Sequence, residues 1–188
     1  MKFKKIKKVK PENFGITNYR FNSDGTLDVF ENVYLDNMRL KELPFNFGQI
    51  IGNFSCYHNE LTSLKGAPNK VDGNFDCSEN QFKNLKYAPE KINGWFDCND
   101  TGLTSLEGSP KIINGYFNCN HNELKTLEGA PEIINGSFWC NWNKLTTLEG
   151  LNLDSVFETI EAYNNPNLKL TEKEELWATL NPGRLILK

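Results

Sequence analysis

Five cysteines, two histidines and one pair of aspartates are the groups in this 188-residue chain with chemistry worth weighing first. The cysteines stand at Cys56, Cys77, Cys98, Cys119 and Cys140, every interval 21 residues. Thiolates could bind zinc, but a tetrahedral site cannot be built from ligands strung along a line. They could form disulfides, but an odd count with no secretory leader argues against such a scaffold, as do parallel Cβ vectors on neighbouring coils. The expected role is a buried column of small hydrophobes. His58 and His121 share one repeat position three repeats apart, roughly 14 Å at strand spacing, so they form no dyad and are expected as surface imidazoles.

Asp76 and Asp97 occupy one position on successive repeats, about 5 Å apart, close to the carboxyl separation of a retaining glycosidase. Catalysis needs one acid desolvated in a pocket, and a regular repeat face is expected to be open to solvent. Docking of a partner's Lys or Arg and plain solvation are the favoured readings, ahead of a cation site and of a carboxylate-dependent hydrolase. No G-x-S-x-G elbow, P-loop or H-E-x-x-H occurs. The chain is therefore read as no enzyme, with no metal and no cofactor.

The elements that position these groups are set by the same 21-residue step. Gly52, Gly73, Gly94, Gly115 and Gly136 keep it, as do Phe54, Phe75, Phe96, Phe117 and Phe138. Farther on come Leu61, Phe82, Leu103, Leu124 and Leu145, then Leu64, Leu85, Leu106, Leu127 and Leu148. The unit reads G-x-F-x-C-x-x-N-x-L-x-x-L-x-G-x-P-x-x-[VI]-[ND]. F-x-C alternates with polar residues, the signature of a short strand with one buried face. Gly and Pro break up the remainder, so each coil is expected to be strand, turn and extended return.

The F-x-C-x-x-N-x-L-x-x-L core resembles the leucine-rich repeat, in which a strand, an asparagine turn and inward leucines recur. The strand cysteine, the L-T-S-L-E-G-x-P stretch and the lead-in YRFNSDGTLDVFENVYLDNMRLKELPFNFGQIIGNFSC resemble leucine-rich repeat proteins encoded by tailed bacteriophages, over about residues 18 to 170. The resemblance implies a mostly β, right-handed solenoid of about six or seven coils with a parallel concave sheet, few helices and a short C-terminal capping helix. It also implies an asparagine ladder through Asn59, Asn80, Asn122 and Asn143, with Thr101 in the Asn position giving a locally looser coil.

A step of 21 residues toward the N-terminus gives a degenerate first coil, Val33, Leu35, Leu40 and Leu43; a step of 22 in the other direction gives Ile160, Ala162 and Asn165. Residues 1–45 then form an N-terminal cap and first coil, 46–170 the repeats, and 171–188 a cap helix and tail. Thr171 to Glu174 reads as a capping box, with Leu176, Trp177 and Leu180 expected to face the last coil. The overall charge is −3, and the first ten residues alone carry six lysines, so the rest carries −9 and nucleic acid is not the expected partner. Phe3, Ile6 and Val9 in that tail are expected to cover the first coil, a basic phosphate-seeking segment being the other reading. The apolar run of a membrane span or signal is missing, so the expected location is cytoplasmic.

The outward strand positions form the surface that a repeat protein can vary. Tyr57, Asp76, Trp95, Asp97, Tyr116, Asn118, Trp139 and Trp142 are the candidate contact residues, because aromatic rings dominate interfaces and the acids add sign. The expected function is non-enzymatic protein binding through the concave face, with a glycan-binding protein as the alternative. The bacteriophage resemblance implies a partner in the infected bacterium, a host or defence protein, with inhibition of bacterial immunity as one version.

Overall fold

The computed structural model describes residues 9–188. In chain order the elements are β1 (Tyr19–Phe21), β2 (Leu27–Val29), β3 (Val33–Tyr34), β4 (Phe47–Ile50), β5 (Phe54–Ser55), β6 (Lys70–Val71), β7 (Phe75–Asp76) and β8 (Lys91–Ile92). They continue as β9 (Phe96–Asp97), β10 (Ile112–Ile113), β11 (Phe117–Asn118), β12 (Ile133–Ile134), β13 (Phe138–Trp139), β14 (Ile160–Glu161), the helix α1 (Glu172–Leu180) and β15 (Leu185–Ile186). The chain is a parallel β-solenoid whose coils repeat every 21 residues.

One sheet has eight strands in the order β15-β14-β13-β11-β9-β7-β5-β3. Its register is the sequence step itself: Phe54 pairs with Phe75, Phe75 with Phe96, Phe96 with Phe117 and Phe117 with Phe138. These rings are fully buried and contact one another along the column, with Phe54–Phe75 centroids at 5.1 Å and Phe75–Phe96 at 5.3 Å. All five cysteines are free and buried, and desolvation pushes their thiols well above the ordinary range. The Sγ of Cys77, Cys98 and Cys140 each donates to a carbonyl of the next coil at 3.3 Å. They are core thiols without thiolate character.

The extended return of each coil forms a second sheet, order β1-β2-β4-β6-β8-β10-β12, parallel from β2 onward. Its inward column is Ile50, Val71, Ile92, Ile113 and Ile134, all fully buried. The repeated glycines lie between the two sheets, where successive coils come closest. A Cβ on Gly94 would meet the Gly73 backbone at 2.8 Å, and one on Gly136 would meet Gly115 at 2.8 Å. Glycine stands there for lack of space.

After each cysteine the chain turns through a left-handed residue. His58, Glu79, Asp100, His121, Trp142 and Asn164 hold φ between 50° and 56°, a conformation that is uncommon outside glycine. The next asparagine along the chain holds the turn. Asn80 Nδ2 donates to Cys56 O, Cys77 O and Ser78 O, while its Oδ1 accepts from Leu61 N–H on the coil before. Asn59, Asn122, Asn143 and Asn165 repeat the pattern. Thr101 is not a loose point: it is buried, donates to Cys98 O at 3.0 Å, and lends its N–H to Asn122 Oδ1, so the next coil supplies what threonine lacks.

The two ends stand apart from the regular coils. The tail expected to cap the first coil lies outside the described residues up to Lys8, and Val9 is exposed. Among the described residues the seven-stranded sheet begins with the antiparallel pair β1–β2, and Ile16 just before it is buried. At the other end the capping box forms, with Thr171 accepting from Glu174 N and Glu174 from Thr171 N. However, Leu176 and Leu180 face solvent; Trp177 packs inward, its Nε1 donating to Asp154 at 2.7 Å, and the buried Glu174 accepts from Leu148 N. The helix packs against the corner at residues 148–154 of the coil that precedes it. The final rung is β15, paired in parallel with β14, which brings the eight-stranded sheet to eight rungs where six or seven coils were expected.

Candidate functional site

The outward face of the eight-stranded sheet carries the candidate residues. From β3 to β14 none of its outward positions is Lys, Arg or His; the column flanking the inward Phe reads Tyr34, Ser55, Asp76, Asp97, Asn118, Trp139 and Glu161. The ion pairs Lys70–Asp72, Lys86–Glu107, Lys111–Glu90 and Lys144–Glu123 all lie off this face.

Trp95, Tyr116 and Trp139 join in one stack. Trp95 and Tyr116 are parallel within 5° at 5.4 Å, and Tyr116 and Trp139 lie at 4.5 Å and 21°. The two-residue offset of Trp139 is possible because Ser137 beside it is small and buried, leaving room for the indole to lean over Tyr116. All three rings are half-buried, largely against each other. The Trp139 Nε1–H is the one buried side-chain N or O atom among the described residues with no hydrogen-bond partner. An unpaired buried donor costs about 1 to 3 kcal/mol. Tyr116 is pushed up to about 12, first by desolvation and then by the charges of Asp97 and Asp76, so its hydroxyl remains a donor across physiological pH.

The aspartates sit in register on β7 and β9, one strand spacing of about 4.8 Å apart. They are not equivalent. Asp97 Oδ1 accepts from Asn99 N and Nδ2, and its Oδ2 from Asn118 Nδ2 at 2.9 Å, so both oxygens are engaged. Asp76 Oδ1 accepts from Ser78 N and Oγ, while its Oδ2 accepts no hydrogen bond among the described residues. Asp76 is half-buried, and desolvation raises it above the usual carboxylate range against the lowering effect of the Ser78 bonds; Asp97 and Asp36 add to the rise. The expectation of open solvent at this position is therefore corrected: side chains on the neighbouring rungs already remove water from it.

The remaining candidates divide. Asn118 is buried, occupied by Asp97 on one side and by Asn120 N–H on the other, and offers little to a partner. Tyr57 is half-buried and donates its hydroxyl to Glu79, which also holds His58 at 2.7 Å. Trp142 is not in the stack. It occupies the left-handed turn position, half exposed, with His121 stacked on it at 5.3 Å and 11°.

Two residues missed from sequence complete the face. Tyr34 and Asp36 continue its columns one coil earlier, 21 residues before Ser55 and Tyr57, and the repeat step alone could have found them. With Asn53, Asn74, Asp76 and Trp95 they line a recess of about 290 Å³. Asp36 Oδ1 accepts from Ser55 Oγ and Tyr57 N. A larger recess of about 670 Å³ at the last coil is lined mainly by apolar groups, among them Ala162, Leu168, Leu170 and Leu187. No group of three or more His, Cys, Asp or Glu among the described residues is placed to hold a metal ion, and no described helix is long and apolar enough to cross a membrane.

No protein-family model, curated protein or solved structure matches this chain. The reading of its function rests on the site.

Proposed function

We propose that this chain is a non-enzymatic binding module that holds another protein against the outward face of its eight-stranded sheet. The observation that carries the reading is the half-exposed stack of Trp95, Tyr116 and Trp139 beside acids without cationic partners. Rings held rigid by their neighbours bury area at little entropic cost, which is why Trp and Tyr dominate interfaces. The expected partner surface is an apolar patch bordered by Lys or Arg.

Two other readings fit less well. Sugar recognition uses open ring faces, whereas here the inner faces of the stack are covered by one another, leaving edges and the two outermost faces. A two-carboxylate hydrolase needs a free nucleophilic oxygen on the second acid, and Asp97 has both oxygens hydrogen-bonded. The likeness of the repeat to those of tailed-bacteriophage proteins supplies the setting: a leucine-rich repeat protein acting in an infected bacterium on a host or defence protein.

The test is to isolate the partner from bacterial lysate by crosslinking, then measure its affinity for the wild type and for Trp139→Ala, Tyr116→Ala and the triple variant with Trp95→Ala. Each hot-spot ring is expected to contribute about 2 kcal/mol or more to binding. Equal affinity for a folded triple variant overturns the reading.

A further inference from the structure

The recess between Tyr34 and Trp95 says more about what the face binds. Its two aromatic walls stand on β3 and just before β9, three rungs apart, about 14 Å at strand spacing. In the two columns that carry these walls the rungs between them present the short polar side chains Asn53, Ser55, Asn74 and Asp76, so the gap is left by the sequence rather than by a missing coil. Trp95 turns one ring face to Tyr116 and lines the recess on its other side. Tyr34, on the first rung, is half exposed.

We infer that this recess receives an arginine side chain of the protein bound to the sheet face, its guanidinium between Asp36 and Asp76 and its plane against an aromatic wall. The inference rests on the protein-binding reading above and names the chemistry of one contact within it.

Three independent features agree. The recess is lined by two carboxylates and no positive charge, and the nearest rungs contribute none. Each carboxylate has one oxygen fastened to the backbone and the adjacent hydroxyl, by Ser78 for Asp76 and by Tyr57 N and Ser55 for Asp36. The second oxygen accepts nothing among the described residues, in contrast with Asp97, where Asn118 fills that place. A carboxylate fixed in direction, short of water and with one oxygen unengaged is a ready acceptor for a planar fork of N–H donors. The aromatic walls select guanidinium over ammonium, because the planar cation stacks on a ring while donating from its edge. A polyanion such as nucleic acid would meet only like charge here.

The experiment titrates isotope-labelled full-length protein with N-acetyl-arginine amide, using the uncharged, isosteric citrulline derivative as control. Saturable shifts are expected at the Trp95 indole and at the Asn53 and Asn74 amides. Asp76→Asn and Asp36→Asn are each expected to weaken the probe at least tenfold, and Tyr34→Ala, an exposed change that leaves the core intact, several-fold. Ile133→Ala, an exposed change on the seven-stranded sheet, should leave probe affinity unchanged. Shifts scattered over surface carboxylates, equal binding of citrulline, or an unaltered affinity in Asp76→Asn overturns the assignment. The two readings fail separately: a partner indifferent to the aromatic stack defeats the face reading while the probe still saturates the recess, and a partner that needs the stack while the probe ignores Asp76 defeats only the arginine contact.

Discussion

On the seven-stranded sheet the outward column runs Gln49, Lys70, Lys91, Ile112 and Ile133, and the column beside it closes on itself: Asn93 donates to Asp72, Asn114 to Asn93 and Asn135 to Asn114. Lys70 pairs with Asp72 and Lys111 with Glu90. On the eight-stranded sheet Asp36 and Asp76 keep an oxygen unengaged, the Trp139 indole has no acceptor, and no cation appears from β3 to β14. Both sheets close over the same core with the same step, so the fold does not demand the difference. One surface pairs its acids with lysines and links its asparagines in a ladder. The other holds groups that a second molecule can satisfy.

The shared core is where that comparison can be broken outright. Phe96 stacks between Phe75 and Phe117 and is fully buried. Phe96→Ala is expected to cost about 3 to 5 kcal/mol through lost burial and the cavity left behind. Urea unfolding monitored by circular dichroism and by tryptophan fluorescence should give coincident transitions, since Trp95 and Trp139 report only one of the sheets. Separate transitions would mean that the sheets are distinct units.

The next effect sets one asparagine against another. Asn118→Ala removes the donor to Asp97 Oδ2 from a buried position, an expected loss of about 1 to 3 kcal/mol. Asn114→Ala breaks an exposed rung of the opposite ladder and should stay within about 0.5 kcal/mol. Similar losses for both would erase the distinction drawn between the two faces.

The columns of the fold are legible in the sequence because each carries one residue type at a fixed step and faces one environment, as Phe75, Cys77, Asn80 and Leu85 do. The second sheet is harder to read: Lys91–Ile92 and its equivalents each carry a single inward aliphatic beside glycine and proline, with no second buried position to declare a strand by alternation. The last rung is hidden for a related reason. Leu185–Ile186 comes 25 residues after Ile160 with a helix between them, and it carries neither the phenylalanine nor the cysteine of the unit. Leu176 and Leu180 mislead because the short helix is anchored by Trp177 and by the buried Glu174, a polar residue that an apolar pattern does not reveal. At the site, the acids and rings are visible by type, but the inequality of Asp76 and Asp97 is set by the side chain two positions farther along, Ser78 against Asn99, and by Asn118 on the next coil.

A smaller effect concerns the phenol at the centre of the stack. Tyr116 ionises near 12 when folded and near 10 when unfolded, so its contribution to stability is intact below pH 10 and is lost as the pH rises from about 10 to 12. Phenolate absorbance on alkaline titration should show one tyrosine ionising in step with the loss of the Trp95 and Trp139 fluorescence environment. Tyr116→Phe should remove that late step, and its persistence would assign it to another ring.

The finest contrast is one of sign. Asp76 is raised above its ordinary value of 3.8 by desolvation, so folding disfavours its charged form; its contribution is fully present below that value and is lost as the pH climbs through the folded one. At neutral pH the carboxylate therefore opposes folding, and Asp76→Asn should raise the melting temperature at pH 7 and lose that advantage on acidification below about 3.8. Glu90 on the other side is lowered from 4.5 by its hydrogen bond to Lys111, so its contribution is present above 4.5 and disappears as the pH falls. Glu90→Gln should thus change melting slightly, in the opposite direction, at pH 7 and not at all in acid. Melting curves of both variants between pH 3 and 7 decide the point. A destabilised Asp76→Asn would mean that its carboxylate is as firmly engaged within the fold as that of Asp97. An acid kept on one face at the expense of stability, opposite one that helps the fold, is what a binding surface and a scaffold surface on one solenoid should show.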